Sequence, residues 1–301
     1  MDDVQASPSP VIEAESIPAA APPSAAPRPS AGPQPPAWRL PSLVALLGLL
    51  TAVPIYAWIA VLQSHGRSAA ALSMPTMGMS RMGVFWAFPV LQASGLAALL
   101  WAFVGVALGL AESGRTIAWL PLRRRDLDRL HRYISLLVIG LIAVHVAATA
   151  MDAMGDSWIT VLIPQEEGWT AARWAYDLGI VAFYLSLLLG PTYYLRRFIG
   201  PRGWRFAHRF VLVVYILSVW HTLIIGADVQ HYGWMRPALW LAQVPLLALF
   251  CYRLISPAAR SRTAVAVATR YGLAAVGAAA AIAIVAIVAT GDYVTVVQSI
   301  Q

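Results

Sequence analysis

The chain has 301 residues, 59% of them hydrophobic and only 12% charged, a balance that excludes an ordinary soluble globule and suits a membrane protein. Its net charge of +7 comes with 21 basic residues, every one an arginine, and these fall mainly between apolar runs, so membrane topology accounts for them and no nucleic-acid partner is expected. The single cysteine, Cys251, excludes an intrachain disulfide and any paired-cysteine attachment motif.

Residues 1–38 are rich in Pro, Ala and Ser, with early acids at Asp2, Asp3, Glu13 and Glu15. So little apolar surface and so many prolines predict a disordered tail, and no basic stretch leads into an apolar one as in a cleaved signal peptide. Residues 39–301 read as one all-α domain, a polytopic membrane helix bundle. A span needs about 20 mostly apolar residues. Seven windows qualify, at about 41–62, 84–110, 131–151, 175–195, 206–226, 237–255 and 271–291, the fourth weakened by Asp177 near its start. Pro54, Pro89, Pro191 and Pro245 fall within spans or at their ends, where neighbouring helices can satisfy freed carbonyls. Trp38, Trp169, Trp174, Tyr193, Tyr194, Trp204 and Trp234 mark span ends as an aromatic belt would.

The arginines give a direction. The loop after the second span holds Arg115, Arg123, Arg124, Arg125 and Arg129; the loop after the fourth holds Arg196, Arg197, Arg202 and Arg205; the loop after the sixth holds Arg253, Arg260, Arg262 and Arg270. The opposite loops hold only Arg67, Arg81, Arg173 and Arg236, and collect Asp152, Asp156, Glu166, Glu167, Asp228 and Asp292. Positive charge stays inside, so the N-terminus is expected in the cytoplasm and the C-terminus outside, in a multi-pass protein of the bacterial plasma (inner) membrane.

Spans three and five each carry two histidines, His131 with His145 and His208 with His221. An ionisable ring at membrane depth is costly and marks a functional site. In this topology both spans run outward, so first pairs with first and second with second, on two levels roughly 20 Å apart at about 1.5 Å rise per residue. Neutral imidazole is a good ligand for haem iron, and the lone cysteine leaves only non-covalent attachment. The residues therefore predict two b-type haems, one in each leaflet, each held by two histidines. Fourteen residues at about 100° place His131 and His145 roughly 40° apart, on one face; thirteen place His208 and His221 roughly 140° apart, so the fifth span must be tilted, twisted or locally distorted. Two other readings of the quartet are four hydrogen-bonded core histidines without a cofactor, and a zinc or copper site. The latter lacks further ligands, since no Cys or second acid joins either level.

The same two helices, with Gly203-Trp204-Arg205-Phe206-Ala207-His208-Arg209 followed by Tyr215 and His221, resemble the ferric reductase-like transmembrane domain superfamily over about residues 84–255. That superfamily includes ferric reductases, NADPH oxidases and MsrQ, the haem membrane subunit of a bacterial methionine sulfoxide reductase system. The resemblance implies a dihaem cytochrome b with His131, His145, His208 and His221 as iron ligands. Eukaryotic members carry a flavin- and nicotinamide-binding region after the last haem helix; no G-x-G-x-x-G follows a strand here. The expected function is transmembrane electron transfer of the ferric reductase kind, by an oxidoreductase-type subunit dependent on another source of electrons. The donor would be a cytoplasmic flavin reductase, a flavin bound at the cytoplasmic face, or membrane quinol; the acceptor would be a ferric chelate or an extracytoplasmic redox protein. An MsrQ-like subunit feeding a periplasmic reductase is the near alternative. A non-redox transporter or scaffold that uses the histidines for metal or proton movement is the alternative of a different class.

Further residues carry weaker signals. Arg132 and Arg209, with Arg129 and Arg205, flank the inner histidines and suit haem propionates, an acidic or flavin-bearing donor, or simple positive-inside anchoring. Met74, Met77, Met79 and Met82, near His65, suit copper(I) or a loop in the interface. Tyr215 and Trp220 are candidates to pack on a porphyrin or merely on helices, and His231 to relay protons or sit in the interface. Asp152, Asp156 and Asp228 form an acidic outer rim.

Overall fold

The computed structural model describes residues 39–71, 87–114, 124–151, 158–164, 171–256 and 263–291, all within the unit Ala37–Gln301. Among these residues every regular element is a helix: α1 (Arg39–Ala71), α2 (Ala87–Gly114), α3 (Arg124–Met151), α4 (Trp158–Leu162), α5 (Ala171–Leu189), α6 (Thr192–His208), α7 (Val211–Ile225), α8 (Ala227–His231), α9 (Met235–Ile255) and α10 (Ala264–Thr290). Runs of Leu, Ala, Val and Ile favour helix where no water competes for backbone groups. The ends follow local chemistry. Thr263 Oγ1 caps α10 by accepting from the Ala266 amide at 3.4 Å, and Gly291, with φ +79°, ends it in the left-handed conformation.

Six helical stretches among the described residues are long and apolar enough to cross a membrane: Arg39–Val61, Ala87–Glu112, Arg125–Met151, Thr192–Ile225, Met235–Ile255 and Ala264–Thr290. The fourth of the seven expected windows, 175–195, falls on a shorter apolar helix, Trp174–Leu189. It stops early because Gly190 and Pro191 follow, and the chain restarts as α6 with Pro191 as its N-cap. A second break within α6 lies at Gly200, whose φ of +72° only glycine adopts without strain, beside Pro201.

The outward faces are apolar. Leu49 is 61% exposed and Ile282 70% exposed, a placement that suits lipid and not water. Inside, α2 packs along α1 and α3, α5 along α7, and α9 along α10. Where lipid removes the hydrophobic drive, close backbone approach matters more. At the α9–α10 seam, a Cβ on Gly277 would lie 2.8 Å from Cys251 Sγ, so that glycine sets how closely the two helices meet. A core of Leu110, Tyr215, Val219, Leu223, Val229 and Leu246 joins α2, α7, α8 and α9. Between α2, α3, α5, α6 and α7 the bundle does not close, and this gap holds the candidate site.

A candidate cofactor site built on two imidazole pairs

A cavity of about 1150 Å³ runs through the bundle, and His131, His145, His208 and His221 all line it. They face one another in the expected pairs. The His131 and His208 rings lie 6.0 Å apart between centroids, with planes at 79°. The His145 and His221 rings lie 6.3 Å apart, at 85°. Neither pair stacks or shares a hydrogen bond; each holds two rings across a gap.

The thirteen-residue spacing on the fifth span is absorbed by a local tightening. His208 is the last residue of α6 and Val211 the first of α7. Through this joint the amides of Arg209, Phe210, Leu212 and Val213 bond three residues back, to Phe206, Ala207, Arg209 and Phe210, at 3.0–3.2 Å. Arg209 (φ −63°, ψ −28°) and Phe210 (φ −70°, ψ −9°) have the matching dihedrals. A 3₁₀ turn advances about 120° per residue against 100° in an α-helix, so four such steps add roughly 80° and bring His208 and His221 to within about 60° of one face.

Two of the four rings are tied to a neighbouring helix in the same way, and a third lies against one. His145 Nδ1 donates to the Leu91 carbonyl at 2.7 Å, and His221 Nδ1 to the Ala175 carbonyl at 3.0 Å. A carbonyl can only accept, so both rings carry their proton on Nδ1 and keep a lone pair on Nε2. Each ring also rests on a glycine one turn further along the same helix: a Cβ on Gly95 would lie 2.9 Å from the His145 ring, and one on Gly179 would lie 2.5 Å from the His221 ring. A Cβ on Gly109 would lie 3.3 Å from the His131 ring, whose Nδ1 is buried without a partner of normal hydrogen-bond geometry, with the Gly105 carbonyl as the neighbouring acceptor. His208 differs. It stacks on Trp204, one turn back, at 5.2 Å and 22°.

The two ends of the cavity have opposite character. Arg132, Arg205, Arg209 and Arg253 line it near His131 and His208. Arg132 lies over the Tyr193 ring at 4.9 Å and no closer to Asp128 than 3.9 Å, and its Nε, like Trp204 Nε1, is a buried donor without a hydrogen-bond acceptor. Arg209 and Arg253 are near enough to repel each other, and neither is paired with a carboxylate among the described residues. This end therefore gathers four arginines and the Trp204 indole donor, with Asp128 and Glu112 as the carboxylates beside them. Toward the other end Gln92 donates to the buried Asp228 carboxylate at 3.2 Å, and both line the cavity. Loss of hydration and the Asp228 charge together hold the Tyr232 hydroxyl above its ordinary pKa.

Arg132, Arg205 and Arg209 thus stand where the sequence suggested, whereas Arg129 lies 3.9 Å from Asp126 and is not part of the lining. Tyr215 borders the cavity and donates to Gln243 at 3.0 Å; Trp220 packs edge-on against Trp240 at 5.7 Å, so it serves the helix seam. The methionines at 74, 77, 79 and 82 and the acids Asp152 and Asp156 lie outside the described residues, as do the side chains of His65 and His231. Sequence reasoning missed Arg253 and the glycines. A signal existed for two of these: Gly95 and Gly109 are fourteen residues apart on α2, as His131 and His145 are on α3.

Residues 94–219 match the family model described as ferric reductase like transmembrane component, the superfamily that the histidine helices resemble. The matched segment runs from α2 into α7 and includes His131, His145 and His208; His221 lies two residues beyond it. No curated protein and no solved structure matches the chain. Six long apolar helices together with this family match mark a multi-pass membrane protein and point to transmembrane electron transfer.

Proposed function

We propose that the protein carries electrons across the bacterial inner membrane through two bis-histidine b-type haems, from a cytoplasmic or quinol donor to an acceptor outside. The observation that carries this reading is the spacing of the imidazole pairs. Two imidazoles on one metal, each with a nitrogen–metal bond of about 2.1 Å and a ring radius of about 1.1 Å, would have centroids about 6.4 Å apart; the pairs stand at 6.0 and 6.3 Å. Two ligands per level suit a metal whose other positions are filled by a macrocycle.

The chain's own residues hold, orient and enclose. His131 with His208, and His145 with His221, would hold one haem each through their ring nitrogens. Arg132, Arg209 and Arg253, with Trp204 Nε1, offer the donors that propionates at the inner level require. The haems would supply one-electron chemistry that no side chain here provides. The arginine asymmetry supports a topology of seven spans, counting the short α5, with the His131–His208 level toward the cytoplasm. The cationic end then faces the donor, which suits an acidic or flavin-bearing reductase, while the Gln92–Asp228 end faces a ferric chelate or a periplasmic redox partner of the MsrQ kind.

The test is the colour of the protein. Purified from haem-sufficient cells it should show a Soret band that shifts on dithionite reduction, with a haem-to-protein ratio near two. A colourless preparation would favour the transporter or scaffold reading and defeat this one.

A further inference from the structure

The supports of the histidine rings repeat one device. On α2 the ring of His145 lies on Gly95 and reaches the carbonyl of Leu91, and the ring of His131 lies on Gly109 beside the carbonyl of Gly105. On α5 the ring of His221 lies on Gly179 and reaches the carbonyl of Ala175. In each case the carbonyl belongs to the residue four before the glycine. Within a helix that carbonyl already accepts from the glycine amide, and its second lone pair serves the imidazole. At Gly95 and Gly179 a Cβ would press on the Nδ1 that reaches that lone pair, and at Gly109 it would touch the ring at Cε1.

We infer that Gly95, Gly109 and Gly179 are positioning residues that set the orientation of three haem-ligand imidazoles and, at Gly95 and Gly179, their tautomer as well. The inference rests on the haem reading of the site. A ring proton held on Nδ1 by a carbonyl leaves Nε2 as the ligand atom and makes it more electron-rich, the usual role of the partner behind a metal-bound histidine. His208 has no such glycine, and Trp204 supports it by stacking. The inner level therefore carries one carbonyl-facing ring and one stacked ring, and the outer level two carbonyl-bonded rings.

The contacts grade the effect. Carbon atoms in comfortable contact stand about 3.5–4.0 Å apart. An alanine Cβ at 179 would sit 2.5 Å from His221 Nδ1 and 2.6 Å from its Cε1, so the ring must retreat by about 1 Å, which takes a 3.0 Å hydrogen bond out of range. At 95 the clash with His145 is milder, 2.9–3.0 Å, and at 109 the contact with His131 is 3.3 Å. Gly140, on α3 between His131 and His145, has nothing within 4 Å of its Cβ position and serves as the control.

The experiment compares the full-length protein with Gly179→Ala, Gly95→Ala, Gly109→Ala and Gly140→Ala by haem-to-protein ratio, redox potentiometry and the low-spin EPR signals of each haem. Gly179→Ala should take the ratio from two to one, with the signal and potential of the inner haem unchanged. Gly95→Ala should alter the EPR signal and potential of that same outer haem, Gly109→Ala those of the inner haem alone, and Gly140→Ala neither. Two unaltered haems in Gly179→Ala and Gly95→Ala would overturn the inference, as would loss of both haems together from Gly179→Ala and Gly95→Ala while Gly140→Ala keeps both. A parent protein without haem would defeat the functional reading itself, a result distinct from either of these.

Discussion

Replacing His145 by alanine separates the two levels most cleanly. On α3 His145 lies fourteen residues from His131, about 21 Å along the helix at about 1.5 Å per residue, so nothing at the inner level touches it. The substitution removes one axial nitrogen and the hydrogen bond to the Leu91 carbonyl. That bond contributes about 0.5–1.5 kcal/mol net, and its acceptor stays satisfied by the helix, so the fold should survive. The loss of a tightly bound ligand is larger, about 4 kcal/mol for a group present at a thousand times its dissociation constant. The variant should therefore keep one haem of two in a dithionite difference spectrum and a haem assay. His221→Ala should lose the same haem, and the double variant should lose nothing more, because two residues that hold one group are not additive. His131→Ala and His208→Ala should remove the other. If His145→Ala retained both haems, or if His145→Ala and His221→Ala removed different ones, the pairing would be wrong.

Other outcomes follow from the surroundings of the site. Arg209→Gln and Arg253→Gln should each weaken retention of the inner haem by about ten- to hundredfold, the worth of a charged hydrogen bond of about 1.5–3 kcal/mol, and leave the outer haem untouched in haem-release assays. Gly200→Ala should lower the thermal midpoint by the equivalent of about 1–3 kcal/mol, because Gly200 sits at φ +72°, ψ 163°; an unchanged midpoint would mean that the kink is not required. Thr263→Ala should cost about 0.5–2 kcal/mol through the lost cap on α10, with both haems retained at unchanged potentials.

The sequence was informative where physical cost concentrates. Four ionisable rings in apolar helices, and arginines gathered on alternate loops, are visible without coordinates because lipid penalises both elsewhere. Their pairing also followed from helix direction alone. The thirteen-residue gap between His208 and His221 predicted a distortion but not its form; a short 3₁₀ joint depends on backbone hydrogen bonds that composition does not encode. Arg253 escaped notice because it is 44 residues from Arg209 in the chain, and only the closing of α9 on the bundle brings them together. The glycines were hidden for a different reason. The chain has 21 of them, and their meaning emerges only when the register of α2 against α3, and of α5 against α7, sets each beside a ring. The fourth expected window, 175–195, overruns its helix, since α5 ends at Leu189, before Gly190 and Pro191.

The most direct test of the central claim is vectorial. The purified protein would be reconstituted into liposomes loaded with ferricyanide, with dithionite added outside. Entrapped ferricyanide should be reduced at a rate proportional to protein, and His145→Ala, with its inner haem intact, should be slowed to near the rate of empty liposomes. A fully loaded two-haem protein that left the trapped ferricyanide oxidised would contradict electron transfer across the membrane.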